Sequence, residues 1–359
     1  MRPTFSPRLV NGPFDDPGLF IPFLFQNRAI LFDLGDISAL SSRDILKISH
    51  VFVSHTHMDH FAGFDRLLRL LMGRDKTLYA FGPRDFLKNV EGKLAGYTWN
   101  LVDNYTGCLV LEAAEIQDDT VLRRRYLCRN RFEPREDAET AAFDGTLHRE
   151  TGLTISAVQL DHGIPCLAFT LQESFHVNIR PDALAALELQ PGPWLQSMKM
   201  ALYTGKSPET EITAETAGNR APKIFPLADL TARIAIITPG QKVSYVADAG
   251  YTEKNAELIL AHTDHADHLF IETAFMDEHR DIARLKNHLT AHQAGTLAGQ
   301  ARVRQFTPFH FSPRYTDRGH LLEAEAREAY AAALQKGQTG RRENLVKLWK
   351  QGYRKRIGP

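Results

Sequence analysis

His50-Val51-Phe52-Val53-Ser54-His55-Thr56-His57-Met58-Asp59-His60 joins a short apolar run to a turn holding four groups of the metal-binding type. The apolar half reads as a buried strand. Imidazole nitrogens and carboxylates are ligands that Zn²⁺ accepts, but four of them within six residues cannot all face one ion. A tight turn after a strand splits them instead. His55 and His57 then face one ion, and Asp59 and His60 a second.

Working outward, two metal shells need more ligands, and three lie at the ends of other apolar runs. His162 follows the strand ending at Leu160, Asp248 follows Val-Ser-Tyr-Val-Ala, and His310 follows Gln-Phe-Thr-Pro-Phe. Together they complete two shells in chain order, with a carboxylate free to bridge. Around them, short apolar runs predict strands at 28–33, 77–81, 151–160, 167–172, 233–237, 242–247 and 268–272. Apolar residues at helical spacing predict helices over 61–71 and 253–261, and Pro83 is placed to open another. Strands interleaved with helices predict an α/β or layered αββα architecture. The whole chain, 1–359, reads as one domain with inserts at about 105–150 and 175–229. The cluster from His262 to His268 sits at a helix C-terminus and runs into a strand, so it reads as a surface linker.

The 359 residues are 43% apolar and 24% charged, which excludes a collagenous or largely disordered chain. No stretch approaches the roughly 18 apolar residues of a membrane helix. The first residues lack the pattern of a secretory signal. Cys108, Cys128 and Cys166 have no C-x-x-C spacing, so a reducing cytoplasm is expected. Net charge is zero, yet 341–356 carries seven basic residues against Glu343, and Arg123, Arg124, Arg125, Arg129 and Arg131 cluster. Such runs attract phosphate unless they are a solvated face.

The series H-x-H-x-D-H, a distant His, an Asp in a small-residue turn and a final His resembles the metallo-β-lactamase superfamily. Leu-Asp-His-Gly-Ile-Pro around His162, Pro-Gly-Pro-Trp-Leu around Trp194 and His-Phe-Ser-Pro-Arg-Tyr from His310 are similar to ribonuclease Z, the tRNA 3′-end endonuclease family. The resemblance runs from about Phe32 to Tyr315 and implies an α/β fold, a four-layered αββα sandwich, with 1–359 a single metallo-hydrolase domain. It implies that His55, His57 and His162 hold a first zinc, that Asp59, His60 and His310 hold a second, and that Asp248 bridges them. Mn²⁺ or Fe²⁺ are the alternative ions. It also implies that Asp33 buttresses the His turn, that Glu272 orients His288, and that His288 protonates the leaving oxygen while Asp59 serves the nucleophile. Pro191, Gly192, Pro193, Trp194 and Arg314 are the implied substrate contacts.

Departures accompany the likeness. The family's Pro-Thr-x-x-Arg-Asn opening is replaced by Leu-Val-Asn-Gly-Pro-Phe-Asp-Asp-Pro-Gly, and Ile271 and Leu289 stand where the family has His and Ser. A divergent member is expected, an endoribonuclease acting on tRNA precursors. A phosphodiesterase for smaller diesters is one alternative, and an inactive nucleic-acid-binding scaffold is another. A cytoplasmic homodimer without membrane contact completes the expectation. The insert 175–229 corresponds to the family's RNA-gripping arm, yet Lys199, Lys206, Arg220 and Lys223 there are outnumbered by acids. A dimer-packing arm anchored by Trp194 is the competing reading.

Overall fold

The structure is a computed structural model that describes residues 4–24, 26–134 and 138–354, with the side chains of 219 and of 337 onward left aside. No side chain of the basic segment 341–356 is therefore among the described residues. The chain forms two compact units. Phe5–Gly145, Ala157–Thr170 and the chain from Val243 make the larger, and Thr146–Ser156 with Leu171–Lys242 the smaller.

The larger unit begins with β1 (Arg8–Leu9), β2 (Leu19–Pro22), β3 (Ala29–Phe32), β4 (Ile48–Phe52), β5 (Lys76–Gly82), β6 (Leu109–Gln117), β7 (Thr120–Leu127) and β8 (Glu139–Ala142), side by side in that order. The central four, β3 to β6, are parallel, and the flanking pairs are antiparallel. Parallel neighbours need crossovers, and α1 (Ser42–Lys47), α3 (Phe64–Leu71) and α4 (Phe86–Ala95) lie in them, with the single turn α2 (Met58–Phe61) before α3. The period-2 alternation of the strands sorts their side chains. Leu31, Val51 and Val53 pack with Leu67, Leu68, Leu71 and Val90 of the helices. Phe32 and Phe52 point the other way.

Two expectations change here. The helix expected over 61–71 breaks at Ala62-Gly63, because the Gly63 amide donates to the Leu34 carbonyl at 2.9 Å and a side chain at Gly63 would strike the Gly35 carbonyl. Residues 105–150 supply regular strands of the sheet, with an unbroken ladder from Val110↔Leu127 to Gln117↔Thr120. The arginine run obscured this pattern. Its guanidiniums are largely matched: Arg124 meets Glu91 at 2.6 Å, Arg125 meets Glu112 at 3.1 Å, and Arg131 reaches Asp103 at 3.7 Å.

Next in the chain come β9 (Thr146–Glu150), β10 (Leu153–Asp161) and β11 (Pro165–Glu173), then the short strands β12 (Phe175–Ile179), β13 (Glu211–Ala214), β14 (Lys223–Pro226) and β15 (Ala235–Pro239). In the smaller unit β12 pairs with β15 and β13 with β14, both antiparallel. Helices α5 (Pro181–Ala186), α6 (Trp194–Tyr203) and α7 (Leu227–Ile234) accompany them. Their apolar faces build a core from Leu184, Trp194, Met198, Leu227, Leu230 and Ile234. The strand expected at 233–237 starts only at Ala235, since Arg233 and Ile234 finish α7.

The larger unit resumes with β16 (Lys242–Val246), β17 (His268–Glu272) and β18 (Phe306–Phe309), parallel to one another. The second sheet has the order β18-β17-β16-β11-β10-β9. Helices α8 (Glu253–Thr263), α9 (Arg280–Leu285), α10 (Ala291–Gln300) and α11 (Gly319–Arg354) follow their strands. Val246, Leu269 and Ile271 pack with Ile259, Leu297 and Leu322 of these helices. The opposite face meets the first sheet. Phe169 lies with its ring centroid 5.2 Å from Phe32 and 5.9 Å from Phe52, and Tyr245 lies 6.0 Å from Phe32. Fully burying each such side chain contributes about 1.5–3 kcal/mol. Helices, sheet, sheet and helices make the four layers. Among the described residues no helix is long and apolar enough to cross a membrane.

Candidate metal centre

Past β4 the chain runs without regular structure to His57, at the N-cap position of α2, so His55 and His57 precede the helix while Asp59 and His60 ride its single turn. The two pairs diverge for that reason. His55 and His57 gather with His162 and Asp248, and Asp59 and His60 gather with His310, ligand atoms in each group lying within 4.8 Å of one another. His162 stands one residue beyond β10, Asp248 two beyond β16, and His310 directly after β18 with φ +59°. All seven belong to the larger unit, in loops that follow its strands or, for Asp59 and His60, on α2. The His262–His268 cluster joins no such group among the described residues.

Asp248 faces both groups. Its Oδ2 lies 3.4 Å from His162 Nε2 and 3.8 Å from His55 Nε2. Its Oδ1 lies 2.8 Å from His310 Nδ1 and 3.5 Å from His60 Nε2. His60 Nε2, His310 Nδ1 and Asp248 Oδ1 are buried without a hydrogen bond of acceptable geometry. Buried polar atoms left without partners are costly, and here three electron-pair donors converge. A cation is what satisfies such a set, so the residues fit the metal that the sequence implied.

Charge tells the same story. Burial and the neighbouring His60 push His55 down to about 2, so its imidazole is neutral and free to ligate. Burial opposes the charge on His310, yet Asp248 and Asp59 outweigh it and hold the ring up to about 10. Burial would raise Asp59, but the hydrogen bond with His310 and the charge of His60 lower it to about 2. Without an ion, protons take the place of positive charge between these carboxylates.

Asp33 organises the first half of the cluster. It is fully buried at φ +56°. Its Oδ1 accepts the Ser54 amide at 2.6 Å, and its Oδ2 accepts the Ser54 hydroxyl at 2.9 Å and His60 Nδ1 at 2.8 Å. Ser54 Oγ lies 3.1 Å from His55 Nδ1. One carboxylate thus orients two imidazoles, directly and through Ser54, leaving their Nε2 atoms to the cluster. Glu272, the last residue of β17, organises the second half. Its Oε1 accepts the amides of Ala249 at 2.6 Å and Leu289 at 3.2 Å, and its Oε2 accepts His288 Nδ1 at 2.8 Å. Glu272 works against burial to raise the pKa of His288.

Of the remaining expected contacts, Arg314 follows His310 in the chain and the other four belong to the smaller unit. Arg314 is exposed after His310, with no side-chain partner among the described residues. Pro191, Gly192 and Pro193 lead into α6 of the smaller unit, where Trp194 is 5% exposed and donates its indole N–H to the Gln190 carbonyl at 3.0 Å. Its ring serves that unit's own core. Sequence reasoning missed three contributors. Tyr245 donates its hydroxyl to Asp33 Oδ2 at 2.9 Å. Asn255, 2% exposed on α8, donates to the carbonyls of Asp161 and Gly250 at 2.8 Å and so ties the His162 and Asp248 loops together. Cys166 Sγ lies 3.7 Å from His55 Nδ1. None carries a local signal, for each is a core-type residue whose polar atom acquires a partner only in three dimensions.

No family model matches the chain. The curated ribonuclease Z of Deinococcus radiodurans is 29% identical over 307 residues, spanning 85% of this chain and 86% of that one. Ribonuclease Z of Treponema pallidum is 27% identical over 311 residues, 85% and 83% of the two chains. Among solved structures, the metallo-beta-lactamase fold protein YhfI of Bacillus subtilis superposes with a TM-score of 0.51 at 16% identity, covering 91% of this chain and 94% of that chain. Sequence likeness along most of the chain and a shared architecture agree: the chain is a divergent relative of the ribonuclease Z proteins, built on the metallo-β-lactamase fold.

Proposed function

We propose that this protein is a metal-dependent phosphodiesterase, an endoribonuclease acting on tRNA precursors with two zinc ions, or Mn²⁺ or Fe²⁺ in their place. The observation that carries the reading is the carboxylate of Asp248, one oxygen toward each histidine group, with unpartnered donor atoms around it. His55, His57 and His162 would hold one ion, Asp59, His60 and His310 the other, and Asp248 both. Such ions, when bound, bring the pKa of water toward neutrality and offset charge on a phosphate.

The protein's own groups do the rest. Asp59, 43% exposed at its side chain and kept ionised, orients the attacking water and accepts its proton. His288 is held by Glu272 at Nδ1, which leaves Nε2–H to protonate the departing oxygen. The cut would leave a 3′-hydroxyl and a 5′-phosphate. The exposed guanidinium of Arg314 is suited to a neighbouring phosphate. The rest of the reading is a homodimer of the cytoplasm, to which three free cysteines are suited; light scattering tests the dimer.

One observation favours a second reading, hydrolysis of smaller diesters. The segment that replaces the family's opening packs beside the centre, with the Pro13 carbonyl accepting the Phe311 amide at 2.7 Å and Phe14 edge-on to Phe311. It brings Asp16, whose pKa is raised by burial and by nearby acids that include Asp59. An acidic segment there repels RNA phosphates. Purified protein assayed on precursor tRNA beside bis-p-nitrophenyl phosphate decides. Cleavage of the diester alone would remove the RNA reading, and cleavage of neither by metal-loaded protein would remove both.

A further inference from the structure

The way helix α9 stops has a use in the metal centre. The His288 amide donates to the Ala283 carbonyl at 2.9 Å and the Asn287 amide to the Arg284 carbonyl at 3.3 Å, with Asn287 at φ +56°. This is a Schellman cap, in which the residue after the last helical one turns left-handed. Asparagine is among the few residues besides glycine that take this conformation readily.

The turn sends two groups in useful directions. The Asn287 carbonyl, released from the helix, accepts His162 Nδ1–H at 2.8 Å. His162 therefore carries a proton on Nδ1, and its Nε2 faces the cluster, 3.4 Å from Asp248 Oδ2. The next residue, His288, is thrown back onto Glu272 at 2.8 Å. The Asn287 amide meanwhile fills space between two ligand loops. A Cβ at Gly163, which follows His162 and has φ +81°, would lie 2.8 Å from Asn287 Nδ2, and one at Gly250, two residues beyond Asp248, would lie 3.5 Å from its Oδ1.

We infer that Asn287 is a positioning residue of the metal centre: its left-handed backbone fixes the tautomer and aim of His162 and directs His288 to Glu272. The inference rests on the metal-centre reading above. It separates two jobs within one residue, since the backbone turn positions the imidazoles while the amide only fills the wedge. Asn287→Gly keeps the turn and removes the amide. Asn287→Val and the milder Asn287→Ala keep a side chain but oppose the turn.

The test is a Co²⁺ titration of the metal-freed full-length protein, followed by its visible absorption. Asn287→Gly should bind within about threefold of the parent with an unchanged spectrum. Asn287→Val and Asn287→Ala should bind one ion about 10–100-fold more weakly, the usual cost of losing a group that orients a ligand, with a changed spectrum. A second readout, the ring-nitrogen NMR signals of His162 in the metal-free protein, should show the Nδ1–H tautomer in the parent and the Gly variant and its loss in the Val variant. Equal losses in the Gly and Val variants would overturn the backbone role, as would parent-like behaviour of the Val variant. If the parent binds no Co²⁺, the metal-centre reading fails, while the tautomer measurement still decides the role of Asn287.

Discussion

The two halves of the centre are each built on a fully buried carboxylate, yet the two carboxylates do different things. Asp33 accepts one amide, that of Ser54, and three side chains, and through Ser54 and directly it sets the rings of His55 and His60. Glu272 accepts from backbone, pinning the amides next to Asp248 and His288 as well as the His288 ring. The first half gathers its groups within six residues of chain, so only ring orientation remains to be fixed. The second draws its groups from loops far apart in sequence, so the loops themselves need fixing. Where chain connectivity does less, buried hydrogen bonds do more.

The largest expected effect lies at Asp248, between the two histidine groups. Asp248→Ala should remove both ions together, because each Asp248 oxygen faces one histidine group. Elemental analysis of reconstituted protein should then fall to near zero; retention of a single ion would mean that Asp248 does not serve both histidine groups.

Next come the residues of the second half. His288→Ala should slow cleavage of diesters with poor leaving groups about a hundred- to ten-thousand-fold while sparing p-nitrophenolate, which needs no proton. Equal losses on both would reassign His288 to loop positioning alone. In the first half, Asp33→Asn should weaken metal binding about 10–100-fold and leave that leaving-group dependence unchanged. If Asp33→Asn instead alters leaving-group dependence, the division of labour between the two carboxylates fails.

The smallest effect concerns pH in metal-free protein. The pKa of His310 is raised from 6.5 to about 10 by Asp248 and Asp59, against burial. A raised pKa stabilises the fold fully below about 6.5, and that contribution is lost as pH climbs through about 10. Calorimetry of chelator-treated protein should show the melting temperature falling by a few degrees from pH 7 to 10. An unchanged melting temperature would mean that His310 is neutral without metal.

Sequence alone determined much of the first half. The His55–His60 turn is a local pattern, strand then cap then helical turn, and its split into two pairs follows from backbone geometry that six residues specify. The parallel strands, and the histidines and aspartate that follow them, were legible for the same reason, since apolar alternation and chain order are local properties. The β6–β7 ladder was not, because three consecutive arginines mask the alternation until Glu91 and Glu112 are seen to pair with them. Nor was the place of Trp194, whose core is completed by Leu227, Leu230 and Ile234, more than thirty residues on. Tyr245, Asn255 and Asn287 were decided by tertiary structure alone. Each is an ordinary core or cap residue in the chain, and its role comes from a hydrogen bond across 94 to 212 residues of sequence. A carbonyl freed at one helix end acquires a purpose only when folding sets an imidazole beside it.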